Sequence, residues 1–253
     1  MSGFHLTAAP TRVLLLCLLF WVSGGSFAQA TPESNETRVP VPTNQPGDGL
    51  MTQKPEVEEL GGDRFKIGAI TVDRGQRLIS VPGWMIPYEA GKPIEFLATM
   101  KQGYKAYESV LELDANAFEF NLACILIGLD AEQSSTVEYH FDPRPVEGNR
   151  VALQVIWKNR GKRHKRNAVD LLKVGESKPD SPATWVYTGS LFSEENRYLA
   201  HVDGVIVGLV HDPASIIEHR EGIGLNDWGS IAIDTETAPA GGQEILLEVR
   251  GLD

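Results

Sequence analysis

The sequence predicts an α+β protein, rich in strand, in which one buried helix of about residues 116–128 packs on a mostly antiparallel sheet. Three observations predict this class. Short apolar runs separated by Gly, Pro or Asp recur along the chain, and only one stretch has a convincing helical period. The 253 residues are 42% hydrophobic and 23% charged, the balance of an ordinary globular protein.

The first thirty residues have the pattern of a cleavable secretory signal. Arg12 precedes an apolar run at 13–22, and Ala28-Gln29-Ala30 supplies a cleavage site. A run of about 10 apolar residues is too short to span a bilayer. We therefore expect export to the periplasm or beyond, with an uncleaved anchor as the alternative.

Residues 31–62 are rich in Pro, Thr, Glu and Gly and have no apolar period, which predicts a disordered tether. Asn35 begins a glycosylation sequon, a triplet that is common by chance. No repeat or linker divides residues 63–253, so we expect a single domain there.

The first half of that domain consists of short apolar or β-branched runs. Each is bounded by turn-forming residues, which is typical of antiparallel strands. The expected strands cover 67–72, 78–81, 94–98 and 110–113.

The predicted helix begins at Asn116, a good N-cap, and Glu119 completes a capping-box pattern. Apolar residues follow at helical spacing, and Gly128 is placed to end the element. Because other positions of the helix are apolar too, we expect burial on most sides.

The second half returns to strand patterns, with a hairpin turn at 158–161. Pro213–His219 fits a short second helix capped by Asp212. The expected strands cover 137–141, 151–157, 166–174, 184–187, 205–210, 230–233 and 245–249.

The chain is acidic, with 34 Asp and Glu against 23 Lys and Arg and a net charge of −11. Such a charge disfavours binding to nucleic acid or anionic membrane. After signal cleavage Cys124 is the only cysteine, so neither an internal disulfide nor a Cys-ligated zinc or iron–sulfur site can form. Its apolar neighbours predict an inert thiol, and we expect no cofactor.

Several segments, in this order and spacing, are similar to a known family. They are Glu95–Leu97, Tyr107–Leu111, Cys124–Leu129, Trp185–Ser190 and Tyr198–Gly204. Residues 64–250 resemble the YdjY-like domain, a family of largely uncharacterised bacterial proteins, many of them exported. The resemblance implies an architecture and a compartment but no reaction. Some relatives carry a ferredoxin-like label, which this chain cannot satisfy with one cysteine, and His201 stands where the family often has an acid.

Common catalytic motifs are absent from the sequence. Glu108, before an apolar strand, has the chemistry of a general base or metal ligand, and Ser109 that of a nucleophile. Ser190, in Thr188-Gly189-Ser190, fits an anion-binding nest. The alternative, which we favour, is that these groups cap and satisfy backbone. An enzyme would assemble a site around Glu108, Ser190 and His201.

A further set of candidate metal ligands is built on histidines. His201, His211 and His219 are the candidates, with Asp203 and Asp212 between them in sequence. Nothing in their spacing requires a site, and scattered surface histidines are commoner, so we expect no metal.

One segment is strongly basic within this acidic chain. Lys162, Arg163, Lys165 and Arg166 belong to a run with five basic residues in seven, Arg160 included. Such a run fits binding of a polyanion or lipid headgroup. Alternatively, it is a solvated hairpin whose charges protect an edge strand from pairing.

Taken together, these patterns favour a non-enzymatic module of the cell envelope that binds an envelope protein or polymer. The scattered-site enzyme is the alternative, and a redox accessory role has the least support.

Overall fold

Short strands dominate the computed structural model, which describes residues 55–182, 184–225 and 229–252. The predicted signal segment and residues 31–54 of the predicted tether lie outside the described residues. The helices are α1 (Ala117–Leu126) and α2 (Leu199–Asp203). The strands are β1 (Val57–Gly61), β2 (Arg64–Ile67), β3 (Ile70–Asp73), β4 (Leu78–Met85), β5 (Phe96–Met100), β6 (Ser109–Leu113), β7 (Asn149–Asn159), β8 (Lys162–Asn167), β9 (Leu172–Val174), β10 (Trp185–Tyr187), β11 (Val205–Gly208), β12 (Ile217–His219), β13 (Ile231–Ile233) and β14 (Glu244–Gly251).

Eight of these strands close into a ring. The order is β4-β14-β7-β10-β12-β11-β5-β6, and β6 pairs back onto β4. Adjacent strands are parallel in two places, β5–β6 and β11–β12. All other adjacent strands of the ring are antiparallel. Inward-facing side chains such as Val81, Leu111, Val155 and Leu247 fill the interior, where each is fully buried.

The predicted α+β fold, in which one buried helix packs on a mostly antiparallel sheet, is therefore wrong, and the fold is a closed eight-stranded barrel. Closure depends on the pairing of Gly83 with Leu113 and of Met85 with Leu111. A Cβ atom at Gly83 would collide with the backbone oxygen of Glu112, so glycine is what lets β4 and β6 approach.

Four further strands extend the ring without belonging to it. The strands β1, β2 and β3 form an antiparallel ribbon that pairs with residues 78–80 of β4, and β8 pairs with β7 alone. The exposed strand β1 lies in the segment that sequence assigned to the tether. A separate two-stranded sheet joins β9 and β13.

The helix α1 has the N-terminus that sequence predicts. The Asn116 side chain accepts a hydrogen bond from the Glu119 backbone, and the Glu119 carboxylate accepts one from the Asn116 backbone. Four of its ten residues are buried, five are partly buried and Ile125 is 52% exposed. The helix lies beside β3, β11 and α2 rather than on the face of an open sheet.

Other predicted elements differ from those in the structure. Residues 137–141 form a loop, and the predicted helix at 213–219 contains instead a loop followed by β12. Gly68, at φ 55°, turns the run 67–72 into a hairpin between β2 and β3. Within the described residues, no helix has the length and apolar character needed to cross a membrane.

Candidate functional site

A histidine held between two carboxylates lies where several connecting segments meet. His140 is in the loop before β7, Glu95 immediately precedes β5, and Asp212 follows β11. The Nε2 atom of His140 is 3.1 Å from Glu95 Oε2, and its Nδ1 atom is 2.6 Å from Asp212 Oδ2. A backbone hydrogen bond from Phe141 to His211 fixes the loop against the end of the strand.

The two carboxylates keep this imidazole charged. Burial alone would lower the pKa of His140, but the hydrogen bonds to Asp212 and Glu95 raise it to about 9. At neutral pH both ring nitrogens therefore donate, one to each carboxylate. The triad carries one net negative charge and is held in a fixed geometry.

Phe96, the first residue of β5, lies beneath this charged group. The His140 ring stacks on Phe96 with centroids 6.2 Å apart, and Lys105 Nζ lies 5.6 Å from the Phe96 centroid. The same lysine is 2.8 Å from Glu108 Oε1. This hydrogen bond raises the pKa of Lys105 although burial opposes it. Asp203, whose pKa is raised by burial and by the charge of Asp212, completes the cluster.

A small pocket adjoins Asp212 on its other side. Glu218 of β12 is 1% exposed, and its Oε1 accepts a hydrogen bond of 2.9 Å from the Asp212 backbone. Among the described residues its Oε2 has no hydrogen-bond partner, and burial raises the pKa of Glu218 to about 8. Ser190, at φ 64°, and Ser215 also line the pocket. The free space is about 10 Å³, enough for one water molecule.

Exposed aromatic rings surround the charged cluster. Tyr104 and Tyr107 lie in the 3-10 turn that carries Lys105, are 73% and 55% exposed, and meet edge to face at 6.2 Å. Tyr139, beside His140 in the loop, is exposed as well. We call this surface the His140 face; it comprises Glu95, Tyr104, Lys105, Tyr107, Glu108, Tyr139, His140, Asp203 and Asp212.

The three candidate catalytic residues have different surroundings. Glu108 belongs to the His140 face and pairs with Lys105. The Ser190 hydroxyl donates to the Pro213 backbone oxygen and accepts from the Ala200 backbone. The buried ring of His201 packs on Phe118 at 4.9 Å, and neither of its nitrogens has a hydrogen-bond partner among residues 55–182, 184–225 and 229–252. No hydrogen bond joins the three side chains to one another among the described residues.

The candidate metal ligands His201, His211 and His219 also differ in their surroundings. Both ring nitrogens of His211 face backbone oxygens, with Asp142 at 2.7 Å and His219 at 3.0 Å. Burial lowers the pKa of His219 to about 4. In the part of the chain that the structure describes, no group of three or more His, Cys, Asp or Glu is arranged to hold a metal ion.

Two other sequence features are placed by the fold. Cys124 is fully buried in α1, and burial raises the pKa of its thiol. The basic residues Lys162, Arg163, Lys165 and Arg166 all lie exposed on β8. A groove of about 350 Å³ opens where β7 passes from β10 to β8, and the described residues that line it include Trp185 and Leu252 but no carboxylate.

Sequence reasoning missed Glu95, His140 and Glu218 as members of a site. His140 stood in a predicted strand, and Glu95 was noted only as part of a family segment. Only Glu218 could have been recognised from the sequence, because it is an acid directly after the apolar pair Ile216-Ile217. It was missed because residues 213–219 were predicted to form a helix.

Comparison with known proteins identifies the family. A search of the curated proteins and a search of the solved structures found no match. The family model of the YdjY domain matches residues 70–250, which include the His140 face and all of the barrel except Gly251, the last residue of β14. The chain therefore belongs to the YdjY domain family.

Proposed function

We propose that this protein is an exported, non-enzymatic binding module of the cell envelope, and that its His140 face binds a basic segment of a partner protein. The observation that carries the proposal is the pair of exposed rings, Tyr104 and Tyr107, beside a pre-organised carboxylate cluster. Large exposed aromatic side chains are typical of interaction surfaces. The secretory pattern of residues 1–30 supports the compartment.

The charge of the face favours a cationic partner. Its four carboxylates, from Glu95, Glu108, Asp203 and Asp212, outnumber the cations Lys105 and His140. The chain as a whole is negative, so its field attracts positive groups. Arginine and lysine side chains also bind the faces of tyrosine rings. A basic peptide would contact the tyrosine rings and the excess negative charge of the face together.

An enzymatic role has less support. The pocket that contains Ser190 and Glu218 has room for one water molecule and none for a substrate. The carboxylates that meet His140 orient it, but no nucleophile is hydrogen-bonded to that histidine in the described chain. Geometry and charge together favour recognition over catalysis.

Binding can be tested with a fluorescent hexa-arginine peptide and anisotropy at low and physiological salt. The double variant Tyr104→Ala, Tyr107→Ala should bind about 5- to 30-fold more weakly, because each cation–π contact contributes about 0.5–1 kcal/mol. The control, Leu60→Ala with Leu252→Ala, removes two other exposed side chains and should bind like the wild type. Equal losses in both variants, or none in either, would refute the role of the His140 face.

Export requires its own measurement. A C-terminally tagged full-length chain should appear in the extracytoplasmic fraction, and mass spectrometry should find residue 31 at its N-terminus. An intact N-terminus in the cytoplasmic fraction would contradict the proposed compartment without bearing on peptide binding.

A further inference from the structure

The hairpin of β7 and β8 carries a concentration of positive charge that the His140 face does not explain. The turn is formed by Arg160 and Gly161, both with positive φ, at 49° and 76°. Six exposed cations surround it within nine residues, whereas the whole chain has a charge of −11. They are Lys158, Arg160, Lys162, Arg163, Lys165 and Arg166.

Almost none of this charge is neutralised within the fold. Lys165 Nζ lies 2.8 Å from Glu248 Oε2. Among the described residues, the other five cations of the hairpin have no carboxylate within 4.0 Å, although the protein has 34 acidic residues. The acidic chain therefore leaves one concentrated positive surface uncompensated.

Edge protection alone does not account for this arrangement. As an edge strand, β8 pairs only with β7, and isolated lysines suffice to discourage further pairing. In the ladder, however, Lys158 is directly opposite Arg163. Like charges facing each other across two strands destabilise the hairpin, a cost that edge protection does not require. An anionic ligand would remove that repulsion.

The distribution of the cations indicates a polymer rather than a flat surface. Side chains alternate along β8, so Lys162 and Arg166 lie on one face of the hairpin, and Arg163 and Lys165 lie on the other. A planar membrane contacts one face, whereas a flexible chain can reach both. The turn, Asn159-Arg160-Gly161-Lys162, also has no apolar side chain that would enter a bilayer.

We propose that the β7–β8 hairpin binds a linear polyanionic polymer that bears sulfate, phosphate or carboxylate groups. Binding rests on ionic contacts from both faces of the hairpin and from its turn, so it should weaken steeply with salt as counterions are released. This inference is independent of the His140 face, because it uses different residues and a ligand of opposite charge.

Retention of the full exported chain on immobilised heparin at 50 mM salt tests the proposal. The wild type should be retained and should elute as salt rises. The variant K162Q/R163Q/K165Q/R166Q should pass through unretained. A second variant, R160Q/K162Q, breaks no ion pair with a described residue and should elute at clearly lower salt, which separates ligand binding from any effect of losing the Lys165–Glu248 contact.

The matched control is R64Q/K66Q/K92Q/K173Q, which removes four cations outside the hairpin and should elute like the wild type. Equal losses in the control and hairpin variants, or unchanged retention of the hairpin variants, would overturn the proposal. Vesicles of phosphatidylglycerol and phosphatidylcholine provide the second arm. If the protein binds those vesicles but is not retained on heparin, the hairpin binds a membrane surface, and the proposal that it binds a polymer is overturned.

Discussion

Replacing Glu218 with glutamine should abolish much of the loss of stability that the wild type undergoes between pH 5 and pH 8. The carboxyl is buried beside Asp212, and its Oε2 has no hydrogen-bond partner in the part of the chain that the structure describes, so its ionised form is poorly solvated. Glutamine has nearly the same shape, keeps an oxygen for the Asp212 backbone and does not ionise. The variant therefore isolates the effect of the charge.

The direction and size of this effect follow from the pKa. An ordinary glutamate has a pKa of 4.5, and burial raises that of Glu218 to about 8. Between these values the folded state holds a proton that the unfolded state has released, so stability falls as pH rises. At about 1.4 kcal/mol per pH unit, wild type should lose about 4 kcal/mol from pH 5 to pH 8 through this group alone.

Urea unfolding of both proteins at pH 5, 7 and 8 measures the difference. With a slope of about 2 kcal/mol per molar urea, the gap between the two midpoints should change by about 2 M across this range. His140 titrates in both proteins, so its contribution cancels in the comparison. Parallel pH profiles for wild type and Glu218→Gln would show that Glu218 is already ionised and solvated in the fold.

Three further predictions concern single sites. His140→Gln should lower the free energy of unfolding by about 1 kcal/mol at pH 6, after allowance for solvent screening, because the raised pKa of His140, about 9, stabilises the fold fully below pH 6.5. In urea titrations the stability difference between wild type and variant should vanish by pH 10, and a difference that stays constant with pH would contradict this. Gly83→Ala should lower the free energy of unfolding by about 3 kcal/mol or more, because the added Cβ clashes with Glu112. The control Gly75→Ala should change the melting temperature little, and equal decreases in the melting temperatures of the two variants would refute the closure argument. Cys124 should react with a thiol reagent only after denaturation, and rapid labelling of the native protein would disprove its burial.

Local features of the fold were predictable, and its closure was not. The runs at 151–157 and 245–249 lie inside β7 and β14, and the Asn116 capping box forms as the sequence indicates. Alternating apolar residues define a buried face equally well in an open sheet and in a barrel. Closure depends on the pairing of β4 with β6, whose register is set by contacts that no local pattern encodes.

The candidate site was predictable only in part, for a related reason. Asp212 and Glu108 were singled out, but Asp212 was assigned partners close to it in sequence, and Glu108 was assigned the distant Ser190 and His201. The structure pairs Asp212 with His140, which is 72 positions away, and Glu108 with Lys105. The loop between β11 and β12 decides this arrangement, and its residues fit a short helix as well as a loop followed by β12.

The ribbon of β1, β2 and β3 has a mechanical consequence. Tension applied to the chain ahead of β1 would peel β1 from β2, then β2 from β3, opening a few hydrogen bonds at a time. The C-terminal strand β14 lies between β4 and β7 in the ring, so a pull at that end must shear two long ladders at once. The ribbon can therefore yield and lengthen under load while the barrel and the His140 face keep their shape.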